Sequence, residues 1–375
     1  MRWKTRLAEL CRQSGISRKT AYKWIARFRT RGRAGLCDER RVAHRVQNRP
    51  KACWLARIRR WRARHPRWGA PKLQWALARR FGRKALPSES AISRWLKRWN
   101  LTRKRRRPVH SGPVISRPKL TLAKKSNEVW TVDFKGWFRT GDGTRVEPLT
   151  VRDLASRYVL AVVLMARQNI PETRLAFERI FRQYGLPAVI RVDNGSPFGA
   201  YGALGLTRLS AWWVKLGIRV EFIAPGHPEQ NGGHEQVHRV YKDETLQPAA
   251  RTLRAQKQRS ERWRATYNRE RPHEGIGMRV PAKIYRKSRR KMPAKTKPWG
   301  YPRDCKTRLV KGKGMISWNG RGRFIGEAFE AERVGLRRGR AGAWEVYFGP
   351  LLIGELRDDD SGGIHAAWFR KRRRK

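Results

Sequence analysis

Two aspartates in this chain lie where a carboxylate could bind a metal ion. Asp133 falls inside a predicted strand, where a charge is costly unless a cation compensates it. Asp193 ends a predicted buried strand, immediately before the turn residues Asn194 and Gly195. Carboxylates on neighbouring strands can share a pair of Mg²⁺ ions, which polarise a phosphate and deprotonate a nucleophile. The two aspartates therefore predict metal-dependent chemistry at a phosphate.

A third acid could come from the segment APGHPEQNGGHEQVHRVYK, residues 224–242, which contains Glu229 and Glu235 on either side of Asn-Gly-Gly. The residues after Gly233 predict a long helix, so Glu235 has a rigid platform, whereas Glu229 lies in a loop bounded by proline. Three neighbours share the predicted helix face of Glu235 and could hold DNA phosphates: His238, Arg239 and Lys242. A glutamate at a helix start can also simply stabilise the helix dipole.

Other acids in the same region are predicted to be structural. Asp142, in TGDGT, has the sequence context of a hairpin turn. Asp153, in VRDLASRY, is predicted to shape the turn that follows it.

The charge of the chain predicts a polyanionic partner. Its 375 residues include 89 Lys and Arg against 29 Asp and Glu, a formal net charge of +60. Nucleic acid fits this excess better than a membrane surface, which would require an amphipathic or lipidated anchor that the sequence lacks. The four cysteines are scattered, and we find neither a signal-peptide pattern nor a long apolar stretch. We therefore expect a soluble intracellular protein that binds nucleic acid and no membrane.

The first 107 residues are predicted to be the main DNA-facing part, because they contain 35 of the Lys and Arg residues and only four acids. Within residues 1–50, apolar residues at helical spacing flank a turn at Gly15, which is typical of a helix-turn-helix. Ser17 should cap the second helix. The exposed residues near its start are the predicted DNA contacts: Arg18, Lys19, Tyr22 and Lys23.

A second unit of this kind is predicted over residues 51–107, where helical spacing recurs after Pro71 and after Ser88. The alternative is that both units are merely basic three-helix packings. The runs RKRRR at 103–107 and KRRRK at 371–375 are predicted to be solvated tails that contact phosphates. Most of the 17 tryptophans are expected in the core.

The rest of the chain predicts a catalytic core followed by a small sheet domain. Residues 128–166 contain three predicted antiparallel strands, and helices and strands then alternate in the order βββαβαβα, which predicts an RNase-H-like mixed sheet flanked by helices. The chain is thus predicted to be multidomain. The predicted segments after the helical units are a basic linker at 108–124, the α/β core at 125–290, a basic linker at 291–312 and a small β-barrel at 313–375.

Three segments resemble the active-site blocks of the retroviral-integrase-like DDE transposases of bacterial insertion sequences: VDFKGWF, RVDNGSPF and HPEQNGGHEQVHR. YNRERPHEGIGMRVPAKIY is similar to the segment that follows in many of them. The resemblance implies that Asp133, Asp193 and Glu235 are the catalytic, metal-binding triad. A strict count of the integrase spacing from Asp193 would reach Glu229 instead, but a longer surface loop costs little free energy and can move the third acid to Glu235.

The resemblance further implies a transposase that binds the terminal repeats of a mobile element and performs DNA cleavage and strand transfer with two Mg²⁺ or Mn²⁺ ions. Its partners would be double-stranded DNA, at the element ends and the target, and further copies of itself in a dimer or higher oligomer. Such a protein would be cytoplasmic and nucleoid-associated in a bacterium. Two other functions stay open: a sequence-specific DNA-binding regulator with an inactive core, and an RNase-H-type nuclease that lacks strand transfer.

Overall fold

The computed structural model of the protein describes residues 2–38, 51–83, 86–102, 120–225, 227–339, 342–358 and 362–366. The chain separates into two units, Met1–Ala52 and Cys53–Lys375. The predicted tails at 103–107 and 371–375, and the predicted linker as far as residue 119, lie outside the described residues. No helix in the described ranges is long and apolar enough to cross a membrane.

The first unit contains a helix-turn-helix, as predicted. Helices α1 (Arg2–Gln13) and α2 (Arg18–Arg31) are followed by a 3₁₀ turn at Gly32–Leu36. Gly15 has a φ of +63° in the tight connection, a backbone conformation that favours glycine. The Ser17 hydroxyl accepts a hydrogen bond from the Thr20 amide at 3.2 Å and caps α2.

Three further helices begin the second unit: α3 (Ala52–Arg64), α4 (Ala70–Phe81) and α5 (Glu89–Arg98). Ser88 caps α5 through the Ala91 amide. The helices share an apolar core of Trp54, Ile58, Trp68, Ala70, Leu73, Ala76, Leu77, Ile92 and Leu96. The second helical unit is therefore confirmed as a packed helical structure, with tryptophans in its core.

A mixed sheet forms the centre of the second unit, as predicted. Its strands are β1 (Val129–Phe134), β2 (Phe138–Arg139), β3 (Arg145–Asp153), β4 (Val159–Met165), β5 (Val189–Val192) and β6 (Arg219–Phe222). The order is β4-β3-β1-β5-β6, and the short β2 pairs with the start of β3. β3 is antiparallel to β1 and β4, whereas β5 is parallel to β1 and β6. The parallel pair β1 and β5 therefore ends at one edge of the sheet.

Helices cover both faces of this sheet. The helices of this part of the chain are α6 (Ile170–Tyr184), α7 (Arg208–Lys215), α8 (Gly232–Thr245), α9 (Leu253–Arg269) and α10 (Pro281–Ile284). α6 and α7 contribute to one apolar core with β1 and β5, and α8 and α9 form another with β3 and β4. On α6, Phe177 is fully buried, whereas Leu175 is 54% exposed although it is also apolar. Two residues correspond to about 200° around a helix, so the two side chains face opposite directions.

The C-terminal strands form an antiparallel sheet with a separate hairpin. They are β7 (Lys306–Leu309), β8 (Met315–Trp318), β9 (Arg321–Phe324), β10 (Arg333–Arg338), β11 (Trp344–Phe348), β12 (Leu351–Leu356) and β13 (His365–Ala366). The described strands pair in the open order β13-β12-β11-β10-β7, with β8 paired to β9, so a closed barrel is not confirmed. The sheet also begins earlier than the predicted boundary at residue 313, because β7 lies in the predicted linker.

Phe177 provides a test of the core packing around the sheet. Its ring is fully buried on α6, with its centroid 4.8 Å from that of Trp213. Phe177→Ala should lower the free energy of unfolding by about 3–5 kcal/mol, measured by urea denaturation of the full chain. Leu175→Ala, on the same helix but exposed, should change it by less than about 1 kcal/mol. Equal effects of the two substitutions would contradict this packing.

Candidate active site

The strand pairing brings Asp133 and Asp193 side by side. β1 and β5 pair in parallel with Thr131 opposite Arg191. Continuing this register by two residues places Asp133, near the end of β1, opposite Asp193, which directly follows β5. Neighbouring strands lie about 4.8 Å apart, so the two carboxylates meet at the carboxyl edge of the sheet.

The positive charge near these aspartates does not offset their burial: the charge of Lys135 lowers the pKa of Asp133, but burial raises it more. In the described part of the chain, neither aspartate forms an ion pair with Lys or Arg, whereas buried ion pairs such as Arg191–Glu221 and Arg271–Glu244 occur elsewhere. Burial raises the pKa of Asp133 to about 7, and the Asp193 carboxylate acts in the same direction. Burial also raises the pKa of Asp193. The pair is therefore a site that a cation would stabilise.

Glu235 lies in the first turn of α8, close enough for its charge to add to the rise in the Asp133 pKa. Its side chain is exposed. Glu229 belongs to the 3₁₀ turn Pro228–Asn231 that precedes α8. The helix thus begins between the two glutamates, and Glu235 has the predicted helical platform.

Two histidines of α8 fasten the helix to the sheet. His234 is 1% exposed and His238 is 8% exposed. Their Nε2 atoms lie 2.6 and 2.7 Å from the hydroxyl of Thr150 on β3, and His234 Nδ1 lies 2.8 Å from the hydroxyl of Thr131 on β1. Burial lowers the pKa of His238 to about 3 and that of His234 well below its usual value. Both rings are therefore neutral at physiological pH.

The position of His238 corrects its predicted role. It was predicted to hold DNA phosphates beside Arg239 and Lys242, but it is buried against the sheet, with Nδ1 3.7 Å from Asp133 Oδ2. Successive helix residues are rotated by about 100°, so Arg239 faces away from His238. Arg239 and Lys242 are exposed, as a phosphate contact requires.

Lys135 is a further basic residue of the site that the sequence pattern did not reveal. Burial and then repulsion from Lys242 lower the pKa of Lys135, so the two ammonium groups approach each other beside Asp133. The available signal was its position two residues after Asp133. The site therefore combines a carboxylate edge with basic groups from both β1 and α8.

The remaining predicted residues are found where the sequence placed them. Arg18, Lys19, Tyr22 and Lys23 are exposed on α2. Asp142 is a turn residue whose Oδ1 accepts hydrogen bonds from the Thr140 hydroxyl and the Thr144 amide. Asp153 accepts hydrogen bonds from the Asn127 and Ser156 amides, which accounts for its structural role.

The residues of the site fit a hard divalent cation. The donors are carboxylate oxygens, which Mg²⁺ and Mn²⁺ prefer, and neither aspartate forms an ion pair with Lys or Arg among the described residues. Within the described ranges, no group of three or more His, Cys, Asp or Glu is gathered as a complete metal cluster. Asp133 and Asp193 are thus the two carboxylates that would hold such a cation, while Glu235 on α8 acts on Asp133 through its charge but is not gathered with them.

Family models match most regions of the chain. Integrase core domain models match residues 123–228 and 216–281. A homeodomain-like domain model matches residues 20–96, across both helical units. The C-terminal domain model of the IS481 family transposases matches residues 305–360.

Two curated relatives come from insertion elements. An uncharacterised 31.7 kDa protein of insertion element IS407 from Burkholderia multivorans is 30% identical over 49% of this chain and 65% of its own length. An uncharacterised 39.2 kDa protein of IS476 from Xanthomonas euvesicatoria is 28% identical over 65% of this chain. The chain spans about two thirds of the first relative and 74% of the second.

Solved structures with similar segments include two viral ones. The HTLV-2 integrase catalytic core domain in complex with magnesium is 16% identical, covers 43% of this chain and 96% of its own, and gives a TM-score of 0.31. The simian T-cell lymphotropic virus intasome in complex with a PP2A regulatory subunit is 16% identical over 80% of this chain and 98% of its own, with a TM-score of 0.38.

The mixed sheet, the helix-turn-helix and the matched models define an integrase-core protein with DNA-binding helical units. Within this class, the insertion-element relatives and the match to a transposase C-terminal domain point to proteins of insertion sequences. Together, these matches support an insertion-sequence transposase of the integrase family.

Cation binding at the paired aspartates should be visible as thermal stabilisation. Millimolar Mn²⁺ or Mg²⁺ should raise the melting temperature of the full chain, because a ligand at a hundredfold excess over its Kd stabilises the folded state by about 2.7 kcal/mol. The rise should disappear in the Asp133→Asn, Asp193→Asn double variant, since neutral amides do not replace the charge. Asp142→Asn, which changes a turn carboxylate, should keep the rise. An unchanged rise in the double variant would show that the cation binds elsewhere.

Proposed function

We propose that the protein is a DNA transposase that binds the terminal repeats of its mobile element, cleaves DNA and transfers the cleaved strand to a target. The observation that carries this proposal is the pairing of Asp133 and Asp193 at the edge of a mixed sheet, with the charge of Glu235 on α8 acting on Asp133. The helical units and the net charge of +60 support DNA as the substrate.

In this proposal, Asp133, Asp193 and Glu235 hold two Mg²⁺ or Mn²⁺ ions. When bound, such ions polarise the phosphate and neutralise the attacking and leaving oxygens of an in-line displacement. Arg239, Lys242 and Lys135 orient the DNA backbone at the carboxylate edge. The neutral His234 and His238 hold α8 without placing positive charge beside the aspartates.

The reaction has two displacements at phosphorus. Water attacks first and breaks a phosphodiester bond at the element end, which leaves a free 3′-hydroxyl. That hydroxyl then attacks a phosphodiester of the target strand and forms the new bond as the old one breaks. No covalent enzyme intermediate is required.

Double-stranded DNA and further copies of this chain are the proposed partners. Two element ends must be brought together for transfer, so the active form is a dimer or higher oligomer on DNA. We infer that the protein acts in the bacterial cytoplasm, where it is associated with the nucleoid.

A labelled element end incubated with the full chain and Mg²⁺ tests the function. A joined product is the expected result and requires both displacements. Nicking without joining would instead indicate an RNase-H-type nuclease. Binding with neither reaction would indicate a regulator with an inactive core.

Glu235→Gln should abolish cleavage and joining while DNA binding stays within about twofold of the original protein, because the change removes a proposed metal ligand and leaves the helix-turn-helix residues unchanged. Rates of product formation and gel-shift affinities measure the two properties. Glu229→Gln is the matched control and should stay active. An inactive Glu229 variant beside an active Glu235 variant would reverse the assignment of the third acid.

Arg18→Gln should weaken binding to the element end by about 1–3 kcal/mol and reduce the preference over random DNA, because Arg18 is exposed at the start of α2. Arg29→Gln, at the other end of the same helix, removes the same charge and should leave that preference unchanged. Binding titrations at two salt concentrations separate base recognition from phosphate contact. Equal loss of preference in both variants would refute recognition by the start of α2.

A further inference from the structure

Thr150 occupies the point where β1, β3 and α8 meet. It pairs directly with Asp133 in the antiparallel register of β1 and β3, and its side chain is fully buried. Its hydroxyl contacts three groups: the Asp133 carbonyl oxygen at 3.1 Å, His234 Nε2 at 2.6 Å and His238 Nε2 at 2.7 Å. One hydroxyl therefore joins the strand that carries Asp133 to the helix that carries Glu235.

The number of hydrogens limits the directions of these bonds. A threonine hydroxyl has one hydrogen to donate and two lone pairs to accept with. Since a carbonyl oxygen can only accept, all three contacts are hydrogen bonds when Thr150 donates to the Asp133 carbonyl and accepts from both imidazoles. In that arrangement His234 and His238 both carry a proton on Nε2.

A proton on Nε2 also means that Nδ1 of each neutral ring carries a lone pair and can only accept a hydrogen bond. His234 Nδ1 accepts from the Thr131 hydroxyl, whose 2.8 Å contact with this nitrogen is shorter than its 3.5 Å approach to the Arg152 carbonyl. His238 Nδ1 carries a lone pair and faces Asp133 Oδ2 at 3.7 Å. Two acceptors then face each other, an arrangement that favours a cation or a hydrogen-bond donor between them.

The start of α8 depends on such contacts because its own sequence stabilises it weakly. The helix begins with Gly232 and Gly233, and its N-cap residue Asn231 makes no capping hydrogen bond through its side chain. The guanidinium of Arg152, 2% exposed, donates to the Gly233 carbonyl at 2.5 Å. Residues of β1 and β3 thus define where the first turn of α8, and with it Glu235, lies.

We propose that Thr150 is a positioning residue that holds His234 and His238 in the Nε2-protonated form and thereby sets Glu235 and the lone pair of His238 toward Asp133. The proposal deepens the proposed function and rests on it where catalysis is concerned. The hydrogen-bond assignment, by contrast, belongs to the folded protein alone and can be measured without DNA or metal.

The first test is nitrogen NMR of the full chain labelled in its eight histidines. His234→Gln and His238→Gln identify the two signals, and both rings should be neutral with the proton on Nε2. In Thr150→Val, which keeps the shape but removes the hydroxyl, this pattern should be lost, and Thr150→Ser should restore it. A proton on Nδ1 of either ring in the unsubstituted protein would overturn the proposal even if the valine variant failed to fold.

The second test measures cation binding and catalysis in the same variants. Thr150→Val should weaken Mn²⁺-induced thermal stabilisation and slow cleavage by about 10- to 100-fold, with DNA affinity unchanged and with rescue by Thr150→Ser. Thr245→Val is the control, because Thr245 is also a buried threonine of this region, on α8, but its hydroxyl donates to the Tyr241 carbonyl of its own helix. Equal losses in the two valine variants would indicate general destabilisation and would overturn the positioning role.

The two tests also separate this proposal from the proposed function. If the unsubstituted protein neither nicks nor joins DNA, the transposase proposal fails, while the NMR pattern and the Mn²⁺ response still decide the role of Thr150. If the protein is active and Thr150→Val matches its rate and its Mn²⁺ response, the positioning role fails and the transposase proposal stands.

Discussion

The repulsion between two neighbouring carboxylates is the constraint on which the rest of the core depends. Parallel pairing of β1 and β5 places Asp133 opposite Asp193, and burial raises the pKa of both. Elsewhere, buried acids are matched by guanidinium groups, as in Arg191–Glu221, where two nitrogens of the same side chain reach the carboxylate. The aspartate pair has no such partner among the residues the structure describes. A bound cation would therefore stabilise the pair. In this way the parallel pairing of β1 and β5 creates the site that the proposed metal-dependent chemistry requires.

The surroundings of this pair balance two electrostatic needs. The proposed DNA substrate requires positive charge nearby, and Lys135, Arg239 and Lys242 would supply it at or near the exposed edge. A cation between the aspartates requires the opposite, since positive groups directly beside it would repel it. Neutral histidines on the buried side of α8 meet this need, because they fasten the helix by hydrogen bonds and add no charge. The same helix thus presents basic groups to solvent and neutral groups to the sheet.

The few acids elsewhere in the chain mostly have structural partners. Glu244 on α8 pairs with Arg271, and Glu332 in the C-terminal region pairs with Lys215 on α7 at 2.7 Å. Arg67, after α3, forms an ion pair with Asp243 of α8. Since desolvated charges require compensation, these pairs link parts of the Cys53–Lys375 unit that are distant in sequence. The large excess of Lys and Arg is left for solvent and for the polyanion.

Periodicity and local chemistry were sufficient for much of this protein. The two helical units, the order of strands and helices along the core, the Ser17 cap and the structural roles of Asp142 and Asp153 all follow from spacing or from contacts within a few residues. The approach of Asp133 and Asp193 was predictable only in part: the sequence placed them on neighbouring strands but put Asp133 inside its strand, and the parallel pairing of β1 with β5 brings the two residues together. The tertiary structure decided what depends on rotation and long-range pairing: the exposure of Leu175, the buried side of His238, the early start and open order of the C-terminal sheet, and the approach of Lys135 to Lys242. Local patterns do not record which surfaces will meet in the folded chain. Thr150 is the clearest example, because its hydroxyl contacts two histidines of α8 that lie more than eighty residues away in the sequence.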